Sequence, residues 1–210
     1  MKFRTVLFAA LASLVTAAIV AQAQVPGVNS TLQSVFTLAY DQSTMKRTYS
    51  ATMTFAPTAV SGTDICNLTG SAAATVKVRR ILFTGQSTTA QTDPIAIIKR
   101  STANSGGTSV SPAVTPYDAN STASAAVFSV YTANPTTGTT VGVIADPLFS
   151  FGNLTTGGAQ LIDSGLIFGQ LGSPIVLRGV AQSVSVNLNG ASFAGLRANC
   201  TFEWTEDTDT

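Results

Sequence analysis

The chain has 210 residues, of which 10% are charged, with two cysteines and no histidine. Without histidine, the Ser-His-Asp and Cys-His catalytic arrangements and the usual zinc sites are excluded. Because the 11 basic residues nearly balance the 10 acidic ones, a basic surface for nucleic acid is not expected either.

The first 23 residues have the pattern of an export signal. Lys2 and Arg4 precede an apolar run from Val6 to Val20, and Ala21-Gln22-Ala23 has the A-x-A form of a cleavage site. We predict cleavage after Ala23 and an exported protein, located in the periplasm, at the cell surface or outside the cell. An uncleaved membrane anchor is the alternative, although the run is shorter than the about 20 apolar residues of a spanning helix.

The rest of the chain is predicted to form one domain. Residues 24–34 are assigned to a linker and residues 35–205 to a β-sandwich domain. Residues 206–210 are acidic, lack apolar side chains and are predicted to form a frayed tail. Removal of residues 1–23 leaves 9 basic against 10 acidic residues. Weak electrostatic repulsion between such nearly neutral chains favours assembly.

Apolar and polar residues alternate with a period of two along much of the chain, whereas helical periodicity is nearly absent. Val, Ile, Thr, Phe and Tyr dominate the alternating segments, and Gly, Pro, Asn and Asp fill the turns between them. About eleven short strands at this spacing predict an all-β fold, a single sandwich of jelly-roll or Greek-key type. The predicted strands are Val35–Tyr40, Thr48–Phe55, Ile65–Leu68, Thr75–Phe83, Ile95–Arg100, Ala123–Tyr131, Thr140–Ala145, Gln160–Phe168, Ile175–Gly179, Ser183–Leu188 and Ala198–Thr205.

A long turn-rich stretch, Ser101 to Ser121, separates two of these strands. Its first part, Ser101–Thr108, is loosely echoed by Thr132–Thr139, which we interpret as shared turn chemistry and not as a repeat. Loops of more than about 12 to 15 residues are often functional. The stretch is therefore a place to look for a partner surface, with an ordinary crossover between strands as the alternative.

The dipeptide Asn189-Gly190 predicts a tight hairpin turn, because both central residues of such a turn need a positive φ. The strand Ser183–Leu188 leads into this turn and the last predicted strand follows it. We therefore expect these two strands to pair with each other.

The two cysteines predict a disulfide bond. Cys200 alternates in phase with Phe202 and Trp204, which places it on the core side of the last strand. In an exported chain an isolated pair of cysteines is most simply bonded. A Cys66–Cys200 bond would close a loop of more than a hundred residues and stabilise the fold by about 4 to 5 kcal/mol. Two buried free thiols are the alternative.

Carboxylates are the remaining candidates for catalysis or metal binding. A glycosidase needs two carboxyl groups about 5 to 10 Å apart, but nothing in the spacing selects two. Asp118-Ala119-Asn120 alternates oxygen ligands as a calcium loop does, although a turn cap fits it better. We predict no catalytic residue, no metal site and no cofactor. The aspartates considered are Asp41, Asp64, Asp93, Asp118, Asp146 and Asp163.

The basic residues form two short clusters, one in the strand that holds Lys77, Arg79 and Arg80 and one at Lys99-Arg100. Uniform alternation puts Lys77 and Arg79 on one face of their strand and Arg80 on the other, among apolar neighbours. An arginine in that position indicates a buried or interface ion pair, or a strand that leaves the core there.

Several segments together carry a resemblance to known proteins: Val35–Tyr40, Val76–Ile81, Ile98–Thr108, Tyr131–Pro135, Ile175–Gly179 and Val186–Gly190. The chain resembles a group of β-rich proteins from tailed phages, prophages and bacterial genomes that is associated with virion structural components. The resemblance spans roughly residues 35–205, with Lys99–Thr108 as its most distinctive part. It implies no catalytic residues. The export signal does not fit this resemblance, because a virion protein that is assembled in the cytosol needs no export signal.

Two classes of function follow. The first is a non-enzymatic structural or interaction protein, a virion decoration or fibre-type component or its exported bacterial relative. It would act as an oligomer, through self-association or contact with other structural proteins. The alternative is a secreted or periplasmic module that binds cell-surface glycan, which needs exposed aromatic side chains beside carboxylates or amides. Contact with a membrane is expected only if the signal segment stays uncleaved, and no nucleic-acid partner is expected.

Overall fold

The described residues lie between Lys46 and Asp207. They contain no helix, and hence none that could span a membrane. The predicted signal segment 1–23, the linker 24–34 and the predicted strand Val35–Tyr40 lie outside the described part. The computed structural model describes residues 46–57, 62–153, 164–168, 173–190 and 195–207.

Strands rich in β-branched and aromatic residues account for most of the described chain, as their propensities dictate. The strands are β1 (Arg47–Phe55), β2 (Asp64–Thr69), β3 (Thr75–Ser87), β4 (Gln91–Pro94), β5 (Ala96–Arg100), β6 (Thr108–Val110), β7 (Thr115–Pro116), β8 (Val127–Ala133), β9 (Thr140–Ala145), β10 (Leu148–Asn153), β11 (Ser164–Ile167), β12 (Ile175–Leu177), β13 (Ser183–Asn187) and β14 (Arg197–Asp207).

These strands form two sheets. The first sheet has eight strands in the order β4-β10-β3-β14-β1-β7, and β11 and β12 also pair with the long strand β3. The second sheet has six strands in the order β6-β8-β2-β13-β5-β9. Neighbouring strands run antiparallel, except where the end of β10 lies parallel to β3.

The inner faces of the two sheets enclose one hydrophobic core, to which both contribute Val, Ile, Leu and Phe side chains. Phe128 of the second sheet and Phe202 of the first have ring centroids 5.2 Å apart. Cys66 of β2 and Cys200 of β14 form a disulfide between the sheets, with a Cα–Cα distance of 6.5 Å. The predicted all-β, sandwich-like fold and the predicted disulfide are thereby confirmed.

The prediction of a hairpin at Asn189-Gly190 is wrong. Both residues have the positive φ that was expected, 48° and 88°. The flanking strands, however, lie in different sheets, because β13 pairs with β2 and β5 while β14 pairs with β1 and β3. The turn therefore begins a connection that crosses between the sheets.

The predicted acidic tail, residues 206–210, begins too early. Strand β14 continues to Asp207, and Glu206 and Asp207 are buried. Glu206 accepts hydrogen bonds from the backbone N–H groups of Ala125 and Ala126, at 3.0 and 3.1 Å, and from the indole of Trp204 at 3.0 Å. These donors offset the cost of burying the Glu206 carboxylate. Alternation in the sequence did not predict that Glu206 would be buried.

Candidate interaction surfaces

The most completely buried ion pair joins Asp64, at the start of β2, to Arg100, at the end of β5. Asp64 is 0% exposed and Arg100 is 3% exposed. The guanidinium donates to both carboxylate oxygens at 2.6 Å, a bidentate geometry. Its Nη1 donates to the Gly138 carbonyl at 2.7 Å and to the Thr140 hydroxyl at 2.9 Å. The arginine thus ties together two strands and a loop.

Two amides complete the surroundings of Asp64. Asn104 donates to one carboxylate oxygen at 2.9 Å, and Asn187 donates to the other at 2.6 Å. Burial raises the pKa of the neighbouring Tyr131 hydroxyl, against the opposing effect of its hydrogen bond with Asn104. Each oxygen of Asp64 accepts two hydrogen bonds from protein groups. This carboxylate therefore holds strands and a loop together through protein hydrogen bonds.

The two segments that echo each other in sequence lie side by side in the fold. Ser105 and Thr136 exchange both backbone hydrogen bonds, at 2.8 and 3.0 Å. Gly107 has a φ of 71°, and a Cβ there would meet the Ala133 carbonyl at 2.7 Å. The distinctive segment Lys99–Thr108 thus supplies Arg100 and Asn104 to the surroundings of Asp64 and has a structural role.

The other aspartates considered as candidates for catalysis or metal binding form contacts in turns, where the structure describes them. Asp118 accepts a hydrogen bond from the Asn120 backbone at 2.9 Å, which is the turn cap that we weighed against a calcium loop. Asp146 accepts from the Asn189 side chain at 2.9 Å. Asp41, Asp163 and the side chain of Asp93 lie outside the described part. Within that part, no three His, Cys, Asp or Glu side chains form a group that could hold a metal.

A β-bulge changes which face of β3 the basic residues occupy. The register between β3 and β14 shifts between Glu203 and Trp204, so that no residue of β14 lies opposite Arg79. Arg80 then lies outside the core opposite Glu203, and the two side chains are 3.3 Å apart. The expectation that Arg80 shares a face with the apolar residues of its strand was wrong, because it assumed unbroken alternation.

Four of the five residues in the predicted basic clusters, Lys77, Arg80, Lys99 and Arg100, contact oxygen acceptors of the protein. Lys77 and Lys46 both bind the carboxylate of Asp207. The Nζ atom of Lys46 lies 2.7 Å from a carboxylate oxygen. Burial raises the pKa of Asp207, but the hydrogen bonds to the two lysines outweigh this and hold its pKa below the usual range. Lys99 donates to the Val176 carbonyl of the opposite sheet at 2.9 Å.

The solvent-facing side of the first sheet, here called the outer face, is mainly polar. Among the described residues it also carries the exposed ring of Tyr117 and the exposed side chain of Ile167, which lies opposite Arg80. Tyr117, which follows β7, is 60% exposed. Its hydroxyl interacts with Glu203 and Ser50. Partial burial and the Glu203 carboxylate raise the pKa of this hydroxyl, so it remains protonated. The other members of the outer face are Thr52, Thr54, Arg80, Leu82, Thr84, Asn199 and Thr201.

A depression of about 240 Å³ lies at the far end of the outer face. Thr54 and Asn199 form part of its wall and are joined by a hydrogen bond of 2.8 Å. Arg197 and Gln86 add further polar groups. The depression is therefore lined by hydroxyl, amide and guanidinium groups together with apolar surface.

No protein-family model, curated protein or solved structure matches this chain. The resemblance to phage and prophage proteins therefore stays a prediction.

An apolar surface, here called the valine edge, lies along β9, at one edge of the second sheet. Val141 is 61%, Val143 57% and Ile144 39% exposed. Leu148, which opens β10, is 69% exposed. The register with β5 shifts twice, which leaves Val141 and Ile144 without partners on β5. The sequence predicted strand β9 with its observed bounds but did not identify its apolar side chains as exposed.

Proposed function

We propose that this protein is a non-enzymatic structural or interaction protein that acts by assembling through its surface. The observation that carries the proposal is the valine edge, with Val141, Val143 and Leu148 each more than half exposed. Large exposed apolar patches on soluble proteins mark contact sites. The buried carboxylates Asp64 and Glu206, by contrast, are engaged by groups that hold strands and loops together.

The order of the main strands supports a fold of jelly-roll type. Numbered one to eight along the chain, β1, β2, β3, β5, β9, β12, β13 and β14 give the orders 1-8-3-6 and 2-7-4-5 in the two sheets. This arrangement is that of two nested Greek keys. The antiparallel pair formed by β6 and β8 then extends the second sheet beyond β2. A rigid sandwich of this kind suits a virion decoration or fibre-type component, or an exported bacterial relative.

The assembly contact is expected to use side chains and not the backbone of the sheet edge. The two register shifts in β9 interrupt its ladder, and bulges are a common means of preventing edge-to-edge strand pairing. The valine side chains remain exposed on this irregular edge. Because the chain is nearly neutral, little electrostatic repulsion opposes their burial against a second copy.

Sedimentation velocity of the purified protein over a range of concentrations tests this proposal. We expect an oligomer that dissociates to monomer in Val143→Lys, since a lysine there would be buried without a partner. Val180→Lys is the matched control, because Val180 is 61% exposed but lies outside the valine edge. A wild-type protein that is monomeric at every concentration would overturn self-assembly.

Export to an oxidising compartment, with cleavage after Ala23, is the location that we propose. The Cys66–Cys200 bond is compatible with it, because such bonds persist outside the cytosol. Intact mass of protein from its native source, with thiol labelling, provides the test. A chain that begins at Gln24 and has no free thiol supports export. A full-length chain with two free thiols favours a component assembled into a virion in the cytosol.

A further inference from the structure

The outer face brings an exposed aromatic ring, a carboxylate and a guanidinium into one row across the first sheet. Ser50 of β1 lies opposite Glu203 of β14, which lies opposite Arg80 of β3. Tyr117 lies beside this row, since Thr115 pairs with Ser50 and the Tyr117 backbone N–H donates to the Thr48 carbonyl of β1 at 2.9 Å. Partial burial and, to a smaller extent, the Glu203 carboxylate raise the pKa of the Tyr117 hydroxyl. The row thus offers an apolar ring surface directly beside charged hydrogen-bonding groups.

The ion pair in this row keeps hydrogen-bonding capacity for a ligand. The Arg80 side chain is 35% exposed and that of Glu203 is 23% exposed. A guanidinium has five N–H donors and a carboxylate accepts about four hydrogen bonds. Only one contact, of 3.3 Å, joins the two side chains. The remaining donors and acceptors on their exposed parts therefore face solvent.

Hydroxyl and amide groups continue from this row toward the depression. Thr52 and Thr201 share a hydrogen bond of 2.7 Å, and Asn199 donates to Thr54 at 2.8 Å. Thr54 lies four positions after Ser50, which corresponds to about 13 Å along a strand. This length exceeds a single sugar ring. The surface therefore suits an extended polar chain better than a small molecule.

The chemistry of the outer face excludes several other ligands. The guanidinium of Arg80 on this face is paired with the carboxylate of Glu203, so a polyanion such as nucleic acid gains little. The central strands β1, β14 and β3 are paired on both sides, so an incoming peptide cannot add to the sheet. An apolar ligand would leave the threonine hydroxyls and the ion pair without water. A carbohydrate offers both hydroxyl groups and apolar C–H faces, which match this surface.

We propose that the outer face of the first sheet binds a neutral carbohydrate chain, with Tyr117 against a sugar ring and the Arg80–Glu203 pair bonded to its hydroxyl groups. Further sugars extend over the threonines toward the depression beside Thr54. This site is separate from the valine edge, so it does not depend on self-association and the two proposals can fail independently.

Electrophoresis in native gels that contain a polysaccharide tests the proposal. The probes are hydroxyethyl cellulose, galactomannan and dextran, each neutral, with alginate as an anionic comparison. We expect at least one neutral polymer to retard the wild-type protein and alginate to have no effect. Titration calorimetry with oligosaccharides of the retarding polymer then gives the association constant.

Variants assign binding to the outer face. Tyr117→Ala is expected to lower the association constant at least about tenfold, and Glu203→Gln to lower it by a smaller factor. Tyr117→Phe keeps the ring and should retain most of the binding. Val127→Ala, which truncates a half-exposed residue of the second sheet, is the control and should bind as the wild type does. Thermal unfolding of each variant verifies that it is folded.

Three results would overturn the proposal. The first is a wild-type protein that none of the three neutral polymers retards. The second is a Tyr117→Ala protein that is retarded as strongly as the wild type, because the binding site would then lie elsewhere. The third is a change in sedimentation coefficient for Tyr117→Ala without any change in retardation, which would make the outer face a contact between copies.

Discussion

Two arginine–carboxylate pairs lie in different sheets of this protein and differ in their surroundings. Arg100 and Asp64, in the second sheet, are buried and joined by two hydrogen bonds of 2.6 Å. Arg80 and Glu203, in the first sheet, are partly exposed and joined by one contact of 3.3 Å. The Nε atom of Arg80 is buried and has no hydrogen-bond partner among the described residues. One pair is fully used in the fold, and the other keeps groups for an outside partner.

The difference shows that burial decides how much a charged pair contributes to stability. Removing one partner of a buried pair leaves an uncompensated charge, whereas an exposed pair contributes little because water competes with it. The same two residue types therefore serve the fold in one sheet and, as we propose, recognition in the other.

Arg100→Met is expected to have the largest effect, a loss of about 3 to 5 kcal/mol in the free energy of unfolding, because it leaves Asp64 buried without its counter-charge. Guanidinium chloride unfolding, followed by the fluorescence of the buried Trp204, measures this loss. Arg80→Met is the matched control, with an expected loss of at most about 1 kcal/mol. Equal losses in the two variants would contradict the comparison. If Arg100→Met does not fold, Arg100→Lys keeps the charge and should show an intermediate loss.

Replacing both cysteines by alanine removes the link between the sheets that carry the two pairs. We expect a loss of about 2 to 5 kcal/mol, mainly because the unfolded chain becomes less constrained. Chemical unfolding of the double variant against the oxidised wild type gives the value. A loss below about 1 kcal/mol would mean that core packing alone holds β2 and β14 together.

Glu203→Gln is expected to separate stability from recognition. Stability should change by at most about 1 kcal/mol, since the side chain is partly exposed. Retardation by the neutral polysaccharide should fall at the same time. Thermal unfolding and the native gel, run on the same preparation, measure the two quantities. A large loss of stability with unchanged binding would reverse the roles given to the two pairs.

The cluster of Asp207 with Lys46 and Lys77 should produce the smallest effect, visible only in acid. The pKa of Asp207 is lowered from 3.8, so the unfolded state binds more protons and stability rises with pH in that range. The contribution is present above the unfolded pKa and disappears as the pH falls through the folded pKa. Asp207→Asn should therefore flatten the acid limb of the unfolding midpoint against pH. Asp118→Asn, in an exposed turn, should leave that limb unchanged.

Local signals predicted much of the fold because they act over a few residues. The alternation in Thr140–Ala145 gave the observed bounds of β9, and the phase of Cys200 with Phe202 and Trp204 placed it in the core. The strand Leu148–Asn153 was missed although it carries two buried phenylalanines. The short strands β6 and β7 were missed as well, because two or three residues in a polar stretch show no periodicity.

The candidate sites were less predictable, because they depend on neighbours distant in sequence. A glycan site was expected to need an exposed aromatic side chain beside a carboxylate or amide, but the sequence did not single out Tyr117. Its exposure follows from the pairing of β7 with β1. The buried pair of Arg100 and Asp64 had one possible signal in the sequence, because Arg100 ends an apolar strand. Nothing in the sequence indicated Asp64 as its partner.

By itself the sequence determined the all-β class, the cysteine pair and the near-neutral charge, since these depend on composition and on alternation within single strands. The tertiary structure decided which charges meet. Arg100 pairs with Asp64, which is 36 positions away in the sequence, and Arg80 pairs with Glu203, which is 123 positions away. Which strands become neighbours, and where a bulge shifts their register, is set by packing of the whole core.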